Sequence, residues 1–109
     1  REEFKRLFSD PKLKIRKFLA DDKKYTEFKE FQSLFKDRSY SVRKTAAGNP
    51  KAPEVEGYEV LFSDKDDRVR MEAAKNPNAP KLNGFERLLE DPDKKVKKAA
   101  RANVNTEHP

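Results

Sequence analysis

One interval governs this chain. Phe4, Phe31, Tyr58 and Phe85 stand 27 residues apart, and further columns keep the same step: Leu7, Leu34, Leu61 and Leu88, then Phe8, Phe35, Phe62 and Leu89. The aspartates Asp10, Asp37, Asp64 and Asp91 follow in phase, as do Ile15, Val42, Val69 and Val96, each trailed by a cation at Arg16, Arg43, Arg70 or Lys97. Five columns in register exclude coincidence. A period of this length belongs to supersecondary units that cannot bury an apolar face alone and therefore stack on one another. The units are 4–30, 31–57, 58–84 and 85–109, so 1–109 reads as a single repeat domain. With 34% of the residues hydrophobic and 42% charged, a thin, elongated core suits the chain better than a thick one.

Each unit reads as two helical pieces. The first is short and carries its aromatic residue, Leu and Phe on one face at helical spacing. The recurring Asp is expected to N-cap the second, with Pro11 and Pro92 at the first helical position, where proline is tolerated. The second helix is expected to run about 11 or 12 residues, with Val69, Ala73 and Ala74, and Val42, Ala46 and Ala47, on its buried side. It stops at Asn49-Pro50 and Asn76-Pro77, because the residue before proline leaves the helical region and Asn tolerates the left-handed conformation at a helix end. Phe28, Val55 and Leu82 then supply an apolar plug, and Gly57 and Gly84 reset the backbone for the next aromatic residue. The end units depart from the pattern: Asp22-Lys23-Lys24-Tyr25-Thr26 replaces the Asn-Pro linker in the first, and Val104 and Arg101 replace Pro and the second Ala in the last.

The unit Leu61-Phe62-Ser63-Asp64, then Val69-Arg70, Ala73-Ala74 and Asn76-Pro77-x-x-Pro80 resembles the leucine-rich repeat variant family, whose pattern runs from a Leu pair through Asp-Pro, Val-Arg and Ala to Asn-Pro-x-x-Pro. Units 31–57 and 58–84 carry nearly all of it; the outer two lose the Asn-Pro signature. The resemblance implies an all-α, right-handed superhelical solenoid of alternating α and 3-10 helices, related in logic to HEAT-like repeats. The period here exceeds the family's usual one, so the residues around Val55 to Gly57 and Leu82 to Gly84 are expected to turn the 3-10 segment into a short α-helix. Some members ligate an iron-sulfur cluster through cysteines; this chain has no Cys to do so.

The net charge of +6 and pI of about 9.5 raise the question of a polyanionic partner. The column Arg16, Arg43, Arg70 and Lys97 would form a basic stripe along a stack. Every unit also carries the Asp six residues ahead of it, so the column reads instead as a ladder of Arg and Asp bridging adjacent repeats: Asp37, Arg43, Asp64, Arg70 and Asp91. Lys17, Lys44 and Lys98 have no such fixed partner and are better placed for a surface contact. By unit the charge runs +4, +2, 0 and +1, which puts the basic end at the N-terminus. Recurrence marks structure, so function is sought where the units differ. The candidate contacts are Lys12, Lys14, Lys17, Lys24, Arg38, Tyr40, Lys44, Arg68, Lys94 and Lys98, with Tyr25, Met71 and Lys95 beside them.

No catalytic constellation stands out. His108 is the one His and sits at the end of the chain, the adjacent pairs Asp21-Asp22 and Asp66-Asp67 point apart, and three Gly leave no phosphate loop. The chain is read as a non-enzymatic scaffold with no cofactor, binding a protein partner through its solenoid surface, with nucleic-acid binding through a basic face as the alternative. No apolar run approaches the roughly 18 residues of a membrane span; a cytoplasmic monomer or weak dimer is the expectation.

Overall fold

A computed structural model describes residues 2–105. Its architecture follows from a short apolar segment alternating with an Ala-rich helix. The α-helices are α1 (Glu2–Lys5), α2 (Leu13–Asp21), α3 (Tyr40–Gly48), α4 (Asp67–Lys75) and α5 (Lys94–Asn105). Ahead of the last four lie 3-10 helices at Arg6–Ser9, Lys29–Lys36, Tyr58–Ser63 and Phe85–Glu90, with two shorter ones at Lys23–Glu27 and Ala52–Glu54. The described residues contain no strand.

Two layers result. Helix α2 packs on α3, α3 on α4 and α4 on α5, while each of the four main 3-10 helices packs on the next and on the α-helix that follows it. The molecule measures 42 × 28 × 18 Å. The core lies between the layers: Val42, Ala46, Ala47, Val69, Ala73, Ala74, Val96 and Ala100 from the α-helices meet Phe31, Leu34, Tyr58, Leu61, Phe85 and Leu88 from the 3-10 helices. Burying one Val or Leu side chain contributes about 1.5–3 kcal/mol. The aromatic residues supply the volume that the alanines omit, and they meet edge to face, with ring centroids 5.5 Å apart for both Phe35–Tyr58 and Phe62–Phe85.

Five local expectations are corrected. The recurring Asp does not cap the long helix. Its backbone N–H closes the 3-10 turn on Leu7, Leu34, Leu61 or Leu88, and its Oδ1 accepts the amide two residues on, at Lys12, Ser39, Asp66 or Asp93. The caps are those later residues: Ser39 Oγ accepts from Ser41 N at 3.2 Å, Asp66 Oδ1 from Arg68 N at 2.8 Å, and Asp93 Oδ1 from Lys95 N at 2.8 Å. Pro11 and Pro92 accordingly lie in the turn rather than in the helix. The long helices are also shorter than expected, nine residues in α2, α3 and α4, because they begin three residues after the Asp.

The first piece of units two to four is 3-10 rather than α-helical. Gly57 and Gly84, at the starts of the segments in the third and fourth units, occupy the left-handed region at φ 96° and 95°, where an L-residue would be strained. Asn49 and Asn76 are not left-handed but extended, at φ −69° and −68°. Their side chains matter instead. Asn49 Nδ2 donates to Ala20 O at 2.9 Å and Asp22 O at 3.2 Å, Asn76 Nδ2 to Ala47 O and Asn49 O at 2.9 Å each, and Asn103 Nδ2 to Ala74 O and Asn76 O at 2.8 Å each. Each amide satisfies carbonyls freed at the end of the preceding helix.

Candidate functional site

The Arg column is the first feature to place. Arg16 Nε donates to Asp37 Oδ2 at 2.7 Å and its Nη2 to Oδ1 at 3.1 Å; Arg43 makes the same fork to Asp64 at 2.7 and 3.2 Å, and Arg70 to Asp91 at 2.8 and 3.1 Å. The Asp six residues earlier contributes only its backbone: Nη1 of Arg16, Arg43 and Arg70 donates at 2.8 Å to the carbonyl oxygen of Asp10, Asp37 and Asp64. The carboxylate partner is thus the Asp of the next unit, 21 residues further along the chain, and each pair bridges adjacent units. Arg16 and Arg43 are buried, with 3% and 7% exposure. The hydrogen bond that Arg16 donates to Asp37 is the main reason its guanidinium is held above its ordinary range, and the bond to Asp91 does the same for Arg70. These arginines are internal ties, each engaged through all three of its guanidinium nitrogens. Lys97 ends the column with no ion pair among the described residues.

With those residues consumed, the free charge lies on the outer side of the long helices. Leaving out Arg16, Arg43, Arg70 and their partners Asp37, Asp64 and Asp91, helices α2 to α5 carry ten basic and three acidic residues, a net +7, against +6 for the whole chain, so the remainder is close to neutral at −1. Helix α5 contributes five of these cations, so the basic face extends beyond the N-terminal unit.

Part of the candidate set converges there. Lys17, Tyr40 and Lys44 line a depression of about 420 Å³ with Asp21 and Glu72, and Lys44, Arg68 and Lys94 line one of about 470 Å³ with Met71 and Lys95. The two share Lys44 and Glu72 and so make one shallow groove across α2 to α5. At its centre the Arg68 guanidinium lies 3.8 Å from the centroid of the Tyr40 ring, which is 37% exposed. Asp66 fixes that guanidinium through bonds of 3.1 and 2.9 Å, and Arg68 in turn pulls the Asp66 carboxyl down to about 2. Asp93, on the groove wall, is held below its ordinary range chiefly by the Val96 amide at the start of α5.

The rest of the candidates do not join this groove. Lys12, Lys14, Arg38 and Lys98 are exposed, but line neither depression. Lys24 sits 5.5 Å from the Tyr25 ring centroid at the other end of the molecule, where Tyr25 and Phe28 stack against Phe4 at 5.3 and 5.0 Å. Tyr25 and Phe28 are thus half-buried parts of the core edge. His108 falls outside the described residues. Among the described residues, no group of three His, Cys, Asp or Glu is placed to hold a metal.

Two things escaped the sequence reading. The acidic walls, Asp21 and Glu72, carry no motif, and only packing brings them beside Lys44. The asparagine ties were legible in principle: Asn103 keeps the column after its proline has gone to Val104, which marks the side chain, not the Asn-Pro bond, as the recurring requirement. No helix of the described residues is long and apolar enough to cross a membrane. In comparison with known proteins, the chain matches no family model, no curated protein and no solved structure.

Proposed function

We propose that this chain is a non-catalytic scaffold, a right-handed solenoid of four 27-residue units of the leucine-rich repeat variant type, that binds a macromolecule through the outer face of α2 to α5. One observation carries the reading. Asp–Arg and Asn ties consume the recurring polar residues, whereas Lys17, Lys44, Lys94 and Lys95 converge on one groove without an ion pair among the described residues. Stacked units that touch only their neighbours leave such a face continuous and open.

A photoreactive amino acid at position 44, in an extract of the source cells, is expected to capture protein, whereas the same probe at Glu59 on the 3-10 layer is not. Equal capture from both positions, or none from position 44, contradicts the proposal. Nucleic-acid binding is the second reading, favoured by the net +7 that the long helices keep outside the Arg–Asp ladder; it requires affinity for an oligonucleotide that falls steeply as salt rises.

A further inference from the structure

The groove's chemistry narrows its partner, given the interaction reading above. Two of its four lining carboxylates, Glu72 and Asp93, are engaged, and Asp21 and Asp67 stand beside the lysines. Glu72 Oε2 lies 3.4 Å from Lys75 Nζ, Asp93 accepts the first amides of α5, and Asp66 neutralises Arg68. Its cations mostly are not: Lys17 enters from α2, Lys44 from α3, and Lys94 and Lys95 from α5, on both sides of the apolar Met71.

We infer that this groove holds an extended acidic segment of a protein partner, with carboxylates against these lysines and an apolar side chain on Met71 beside the Tyr40–Arg68 stack. Charge complementarity supplies the sign of the partner. Three features separate a peptide from a nucleic acid. Asp21 and Asp67 stand among the lysines, so an evenly charged phosphate backbone meets repulsion at those two points, whereas a peptide can set neutral residues opposite them. One face of Tyr40 is already covered by a guanidinium held in place by Asp66, which closes it to a stacking base. Met71, standing where the neighbouring units have Lys44 and Lys98, offers an apolar seat with nothing to bind in a phosphate chain.

Fluorescence anisotropy tests this with a labelled Glu-rich peptide carrying one central Leu, its Gln counterpart, and a single-stranded oligonucleotide of equal charge. The Glu peptide is expected to bind, the Gln peptide to bind at least about tenfold more weakly, and loss of the Leu to cost several-fold. Lys17→Glu with Lys94→Glu, both at exposed positions, is expected to weaken the Glu peptide about tenfold or more with an unchanged circular-dichroism spectrum. The equal charge change at Lys36→Glu with Lys81→Glu, outside the groove, is expected to leave it within about twofold. Equal binding of Glu and Gln peptides, equal loss in the two double variants, or tighter binding of the oligonucleotide would overturn the inference. In those cases protein capture at position 44 leaves the broader scaffold reading standing, and its absence removes both.

Discussion

Asn76 shows how much a single side chain does in this fold. It is 2% exposed, its amide nitrogen serves two carbonyls, and its Oδ1 accepts Asn78 N at 3.0 Å. Aspartate keeps the acceptor but loses the donor and places a charge against carbonyl oxygens, so Asn76→Asp is expected to lower stability by about 3 kcal/mol in urea unfolding. Asp22 occupies the same column in the first unit and performs only the acceptor half, taking Lys24 N at 3.0 Å. Tyr58 is a second individual case, a buried hydroxyl in a column otherwise made of Phe. Its OH donates to Ala47 O, and burial, the largest cause, raises its pKa well above the ordinary 10.0. A raised folded value means stability is complete below about pH 10 and declines as pH climbs toward the folded value. Tyr58→Phe is expected to cost about 1 kcal/mol or less at neutral pH, because Ala47 O retains the Asn76 bond, and to flatten the loss of stability above about pH 10. Asp66 has the opposite sign: its depressed carboxyl contributes above its ordinary value of 3.8 and loses that contribution as pH falls toward about 2. Asp66→Asn keeps the helix cap, and its acid-unfolding curve is expected to be flatter than wild type across that interval.

At the scale of elements, the Asp turn joins a 3-10 helix to the long helix behind it and, through Arg, to the unit before it. Asp64 does both, whereas Asp10 makes only the turn, accepting Lys12 N at 2.8 Å. Asp64→Ala leaves the buried Arg43 without its carboxylate and is expected to cost about 3–5 kcal/mol; Asp10→Ala, with no arginine to strand, is expected to cost about 1 kcal/mol or less. Paired urea titrations check the difference, and equal losses would remove the ladder from the account. The same elements explain what the sequence made legible. The Val, Ala, Leu and aromatic columns marked the core because burial leaves a periodic apolar trace, and Val42, Val69 and Val96 are all buried. The Asp column was legible as a requirement but not as a geometry, since a carboxylate that caps a turn and one that caps a helix leave the same letter. Lys12, at the first cap position, hid the true cap column of Ser39, Asp66 and Asp93.

The whole molecule gathers net positive charge on the layer of long helices, which no window of sequence displays, because those helices alternate along the chain with 3-10 helices that carry no net charge together. The groove is of the same kind: Lys17 and Lys94 are remote in sequence, and only the packing of α2 through α5 brings their two depressions together at Lys44. The outer face of those helices as the binding surface is the central claim. Its most direct measurement is chemical-shift mapping of the amide resonances as the Glu-rich peptide is added. The account predicts perturbations around Lys17, Tyr40, Lys44, Met71 and Lys94 that saturate together and vanish at high salt, with Glu59 and Glu86 on the 3-10 layer unmoved. Perturbations centred on the 3-10 layer, or scattered without saturation over both layers, would contradict it.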